Sequence, residues 1–170
     1  FCSHGRHEYC KRCSCGRQWR TKSYEWLSDA DRKLIESKLY DFQTIKTTFS
    51  LDSKPVSLNS YHTNYMFMEN LIWLNSKLNS QKTVVMSHHL PSFQLIDPRF
   101  KKDEHQILNH GFATNLEAMR ENPHLRYWLC GHTHSSNKIK INKCEMISNP
   151  YGYRRKPNPD YKRDLVIELD

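Results

Sequence analysis

The chain reads as an α/β fold, and three observations carry that reading. Two stretches, at about 29–46 and 57–79, repeat apolar residues at helical spacing. Two short apolar runs, Thr83–Met86 and Tyr127–Cys130, are each followed by one small residue and then histidine. A third segment alternates apolar and basic residues and can return on itself as a hairpin.

The elements follow in order. Ser28 with Asp31 three residues on forms a capping-box start, and Ile35, Leu39, Phe42 and Ile45 continue it as one helix over 29–46. In the second helix, 57–79, Leu58, Tyr61, Tyr65, Met68 and Ile72 line one face, extended by Leu71, Leu74 and Leu78. This face is expected to meet the core. Thr83–Met86 reads as a buried strand stopped by Pro91. Phe112, Leu116 and Met119 predict a helix over 111–121, closed by Asn122-Pro123. Tyr127–Cys130 is the next strand, Ile139 and Ile141 pair with Glu145–Ile147 through a turn at Asn142-Lys143, and a last strand covers Asp164–Leu169. Helices alternating with strands place polar residues at strand ends.

Residues 1–27 behave differently. They show no apolar period, and they crowd Cys2, Cys10, Cys13 and Cys15 among Arg6, Lys11, Arg12, Arg17 and Arg20. The expected organisation is an irregular Cys/Arg-rich segment over 1–27, then a folded domain over 28–170. The chain starts at Phe1, which suggests a processed or truncated product.

Composition narrows the classes. The 170 residues carry 37% hydrophobic and 12% aromatic residues, too rich for a disordered chain despite a mean hydropathy of −0.83. No apolar run approaches the roughly 20 residues that span a bilayer, so no membrane partner is expected. The net charge of +8 makes phosphate-bearing partners, nucleic acid included, electrostatically plausible. Six unevenly placed cysteines and the lack of an Asn-x-Ser/Thr sequon favour an intracellular, cytoplasmic setting with reduced thiols.

Ten histidines against only five glycines direct attention to metal chemistry. His88, His132 and His134 each follow a short apolar strand, and imidazole is the commonest metal ligand. In an extended turn His132 and His134 share a side, with Gly131 allowing close backbone approach.

Met86-Ser87-His88-His89-Leu90-Pro91 and Cys130-Gly131-His132-Thr133-His134, in this order, resemble the last two motifs of the calcineurin-like metallophosphoesterase superfamily. Ser148-Asn149-Pro150-Tyr151-Gly152-Tyr153 and Lys156-Pro157-Asn158-Pro159 resemble the closing strand and loop of one branch. The resemblance covers about residues 25–170 and implies the C-terminal half of a β-sandwich flanked by helices. It implies two divalent ions, manganese, iron or zinc, that generate hydroxide for in-line attack on a phosphate ester. His88 and His132 would bind one ion and His134 the other, with His89 near the substrate phosphate or simply packed.

The same resemblance calls for earlier motifs. No Gly-Asp occurs in the chain, and no Asp-x-His precedes the histidine motifs. Gly5-Arg6-His7-Glu8-Tyr9 resembles a Gly-Asn-His-Glu-Tyr motif, which would put His7 at the general-acid position. Arg6 replaces the ligand Asn there and cannot bind a metal, because guanidinium offers only donors. Three neutral imidazoles without a bridging carboxylate should not hold two adjacent dications, so the chain alone is expected to bind fewer ions and to be inactive. It would then need a missing N-terminal half as partner.

Three other readings stand beside this one. His88, His132 and His134 could form a mononuclear three-His zinc site with water in fourth position. Cys2, His4, His7, Cys10, Cys13 and Cys15 could form a zinc cluster in a basic nucleic-acid-binding segment. The chain could also be a non-catalytic scaffold.

Overall fold

The structure, a computed structural model, describes residues 27–48, 54–78, 82–102 and 106–169. The expectations for His7, the N-terminal cysteines and nearly all of segment 1–27 lie outside the described residues.

Ser28 starts the first helix as the capping box requires. Its hydroxyl accepts from the Asp31 N–H at 3.1 Å, and its own N–H donates to the Asp31 carboxylate at 3.3 Å. Helix α1 (Asp29–Lys38) ends sooner than the apolar spacing predicts. Leu39 turns extended at φ −88° and ψ 126°, and a short α2 (Tyr40–Thr44) follows at a new angle. The break is stabilised by packing, since Phe42 and Ile35 meet Leu58 in a small second core that also draws in Leu27, Leu39 and Leu108. The two-residue strands β1 (Lys46–Thr47) and β2 (Val56–Ser57) pair antiparallel.

Helix α3 (Ser60–Lys77) is capped by Asn59, whose Oδ1 accepts from the His62 N–H at 3.0 Å. The Ser60 N–H donates to Glu36 at 2.8 Å and ties α3 to α1. The expected face is buried only in its Leu71, Leu74 and Leu78 extension. Leu71 and Leu78 enter the main core with Leu74 and Phe67 against them, whereas Tyr61, Tyr65 and Ile72 stand 61%, 56% and 60% exposed. Both stripes repeat at helical spacing, so periodicity alone cannot say which one meets the sheet.

That sheet has four strands, β3 (Thr83–Ser87), β4 (Leu125–Cys130), β5 (Asn137–Ile141) and β6 (Cys144–Ser148), in the order β3-β4-β6-β5. β3, β4 and β6 run parallel, and β5 pairs antiparallel with β6 through a turn in which Asn142 takes a left-handed φ of 54°. Asn is among the few residues that adopt this region readily. Val85, Trp128 and Met146 sit in register across three strands and form the centre of the core with Leu90, Leu95 and Leu125. The opposite face is barely covered at β3, where Met86 is 79% exposed.

Two predicted elements are absent. In place of a helix over 111–121 the chain forms a short α4 (Gln106–Asn109), an extended stretch, and a 3-10 turn at Glu117–Glu121. The backbone at 112–114 is taken by Leu90, whose N–H donates to the Phe112 carbonyl at 3.0 Å while its carbonyl accepts from Thr114 at 2.9 Å. Leu116 and Met119 are nevertheless buried, as their apolar character demands. The expected strand at Asp164–Leu169 is not formed either. Val166 and Leu169 are exposed, and the segment is held by the Tyr127 hydroxyl, which donates to the Glu168 carbonyl at 2.9 Å. Closing instead is a small pair, β7 (Gly152–Tyr153) with β8 (Lys156–Pro157). Asn158 anchors it by donating to the Pro150 carbonyl and to Ser136 Oγ, both at 2.9 Å.

The architecture is thus mixed α/β with one mixed four-stranded sheet among the described residues. Among the described residues no helix is long and apolar enough to cross a membrane.

Candidate functional site

Parallel pairing of β3 with β4 brings their C-terminal ends side by side, with Ser87 opposite Cys130. The ladder continues one step, as the Gly131 N–H donates to the His88 carbonyl at 3.0 Å. His88 and His132 therefore leave neighbouring strands at the same level. Nε2 of His88 and Nδ1 of His132 lie 3.1 Å apart. One nitrogen must carry a proton for the other to accept, unless both lone pairs face a cation.

His89 joins them, its ring centroid 4.6 Å from that of His132 and 5.1 Å from that of His88. Phe112 closes the other side of His132 at 4.7 Å. His134 stands apart, its ring edge-on to Tyr153 at 4.0 Å. The structure thus gathers His88, His89 and His132, and gives His134 an aromatic neighbour that the sequence did not suggest.

Backbone geometry fixes this arrangement. His132 adopts φ 61°, a left-handed conformation uncommon for non-Gly residues, though less so for Asn, Asp and His, and one that clusters at functional sites. The Thr133 N–H closes the turn on the Gly131 carbonyl at 2.7 Å. The strained position is His132 itself, not Gly131. A Cβ on Gly131 would meet the His88 carbonyl at 3.6 Å, an ordinary contact, so the close approach expected of that glycine is not required.

The His88 loop is held from below. Ser87 Oγ donates to the His89 carbonyl at 2.7 Å and accepts from the buried Trp128 indole N–H at 2.8 Å. The His134 side is braced by Arg99, which pairs with Asp97 at 2.8 Å and reaches Ser135 Oγ at 3.3 Å. Ser92 is fully buried and donates to Glu117 at 2.8 Å.

Burial, and then the charges of His132 and His88, pushes the His89 imidazole down to about 4, while Asp41 pulls the other way. Although His89 still presents surface to solvent, the direction leaves it neutral at neutral pH. His132 is lowered too, first by burial, then by His88 and more weakly by His134, with Asp41 and the Gly111 carbonyl opposing. Its Nε2 is nonetheless buried without a hydrogen-bond partner of good geometry. Among the described residues Asp41, delivered by the α1–α2 break, is the one carboxylate felt by both imidazoles. Nothing in the sequence marked it.

Two ligand nitrogens on one metal at 2.0–2.1 Å in tetrahedral geometry are roughly 3.3 Å apart. The His88–His132 separation is close to that edge, so this pair fits one ion. Among the described residues, however, no three His, Cys, Asp or Glu side chains are grouped so as to hold a metal. An Asp-x-His does occur, at Asp103-Glu104-His105, but it falls between the two histidine motifs and outside the described residues.

Comparison with known proteins adds no assignment: no family model, curated protein or solved structure matches this chain.

Proposed function

We propose that this chain carries the histidine part of a metal-dependent phosphoesterase site of the calcineurin-like kind. The observation that supports it most is the 3.1 Å approach of His88 Nε2 to His132 Nδ1 at adjacent parallel strand ends. His88 and His132 would hold one divalent ion, and His134 a second in a complete site, on the resemblance of their motifs. A bound divalent cation supplies Lewis-acid stabilisation of phosphoryl oxygens and activates water as nucleophile. The chain's own contribution is to hold two imidazoles in register, with His89 beside them as a neutral neighbour of the substrate phosphate. With no carboxylate among the gathered ligands, the chain by itself takes up one ion and hydrolyses phosphate esters slowly or not at all.

The one-ion reading overlaps with a mononuclear zinc site, and metal counting separates the two. Titration of the chain with zinc and with manganese, followed by calorimetry and elemental analysis, is expected to give weak uptake of a single ion. That uptake is lost on His88→Ala and on His132→Ala. Metal binding that survives both substitutions rules out the site. One tightly held zinc that needs His134 as well favours the mononuclear enzyme instead. Rapid turnover of a generic aryl phosphate with added manganese, lost on His132→Ala, would refute the inactivity of the isolated chain.

A further inference from the structure

A concave surface lies at the other end of the sheet from the histidines. A cavity of about 500 Å³ is lined by Lys82, Arg126, Lys140 and Lys143, with Tyr127 and Glu145 among its walls. It gathers at the N-terminal ends of β3 and β4, whereas the histidines stand at their C-terminal ends. The two surfaces are therefore separate.

Register explains the clustering. Val84 pairs with Tyr127, Tyr127 with Glu145 and Glu145 with Lys140, so one line of the sheet crosses all four strands. Lys82 precedes β3, Arg126 adjoins Tyr127, and Lys143 tops the β5–β6 turn beside this line. Among the described residues that line the cavity, the one carboxylate is already engaged, since Lys138 contacts Glu145 at 2.8 Å. Arg126, Lys140 and Lys143 thus bring three cations to the cavity, beside Lys82 and against one partnered anion.

The shape of this positive surface selects its ligand. At about 4.8 Å between neighbouring strands, the line from β3 to β5 spans about 14 Å. A single phosphate or diphosphate is too short to meet cations spread over that width, whereas a chain of repeated phosphates can meet them in turn. Tyr127, half-buried in the wall, offers an aromatic surface, and stacking of bases on aromatic side chains tolerates any sequence.

We propose that this cavity is a binding surface for the phosphodiester backbone of single-stranded nucleic acid, independent of the histidine site. Electrostatic contacts of this kind release counterions, so affinity falls with salt in proportion to the number of phosphates neutralised.

The test is fluorescence anisotropy of the full chain with a short fluorescein-labelled oligothymidylate over a salt series. Binding at low salt is expected. An R126Q/K140Q/K143Q variant should bind at least about tenfold more weakly, with a salt slope lower by about 2 at ~0.7 per phosphate contact on a single strand. K140Q/K143Q, which changes only exposed side chains, serves if the triple variant does not fold, and should show about two thirds of that slope change. A control K33Q/K77Q/K156Q variant removes the same charge elsewhere and should bind as the parent does. The proposal is overturned if the control loses as much as the cavity variant, if inorganic pyrophosphate competes as well as unlabelled oligonucleotide, or if the chain binds anionic phosphatidylserine vesicles but not the oligonucleotide.

Discussion

The indole N–H of Trp128 donates to the Ser87 hydroxyl at 2.8 Å, joining the centre of the core to the residue that precedes the histidine pair. Trp128 is 1% exposed, so this donor has no access to water in exchange. The same hydroxyl donates to the His89 carbonyl. Ser87→Ala leaves a buried donor unsatisfied and releases the loop, and should cost about 1–3 kcal/mol. Urea unfolding reads the loss, and Ser87→Thr, which keeps the hydroxyl, should recover most of it. Unchanged stability in Ser87→Ala would show that the bond contributes nothing net.

A second prediction concerns the backbone of His132. At φ 61° a β-branched residue is strongly disfavoured, while Asn adopts this region readily. His132→Val should therefore be less stable than His132→Asn by about 1–2 kcal/mol, although both remove the imidazole. Paired thermal melts decide it, and equal stabilities would mean that the turn relaxes.

The third prediction is one of pH. Arg99 holds the Asp97 carboxyl well below the usual carboxylate range, chiefly through its side-chain hydrogen bond. A carboxylate whose folded pKa is depressed binds fewer protons folded than unfolded, so its contribution is present above the unfolded value of about 3.9 and is lost as pH falls below it. Arg99 is largely exposed, which keeps the effect modest. The melting-temperature gap between the parent and Asp97→Asn should accordingly be positive at neutral pH and shrink on acidification below about pH 4. A gap that is constant with pH contradicts it.

The fourth turns on Cys130. Burial pushes its thiol up to about 12, and its Sγ lies against the Ile147 carbonyl. Only the thiolate is nucleophilic, so iodoacetamide should label Cys130 at least about tenfold more slowly than a free thiol at the same pH, until the chain is unfolded. Cys144, fully buried, should be protected with it. Peptide mapping after timed alkylation distinguishes these two from the N-terminal cysteines, and fast native labelling of Cys130 would be falsifying.

Much of the secondary structure was legible because its signals are local. The Ser28–Asp31 capping box, the two apolar strands and the Asn142 turn depend on residues a few positions apart, and each forms where its pattern stands. The failures share a cause. The helix expected over 111–121 gives way to pairing with Leu90, a residue more than twenty positions earlier. The helix expected through residue 46 breaks at Leu39 to bring Phe42 against Leu58. Tyr61, Tyr65 and Ile72 have the right spacing but lie on the wrong side of α3.

The sequence by itself singled out the residues on which the proposed function rests: histidines placed after short apolar strands, in an α/β chain with a net positive charge. Only the tertiary structure decided which of them meet. Parallel pairing of β3 and β4 puts His88 against His132, a left-handed turn sends His134 to Tyr153, and the break after α1 brings the charge of Asp41 to bear on the cluster. The physical reason is that side-chain type and local backbone preference are properties of neighbours in the chain. Distances between strand ends follow from sheet order and register, which the long-range burial of Val85, Trp128 and Met146 selects.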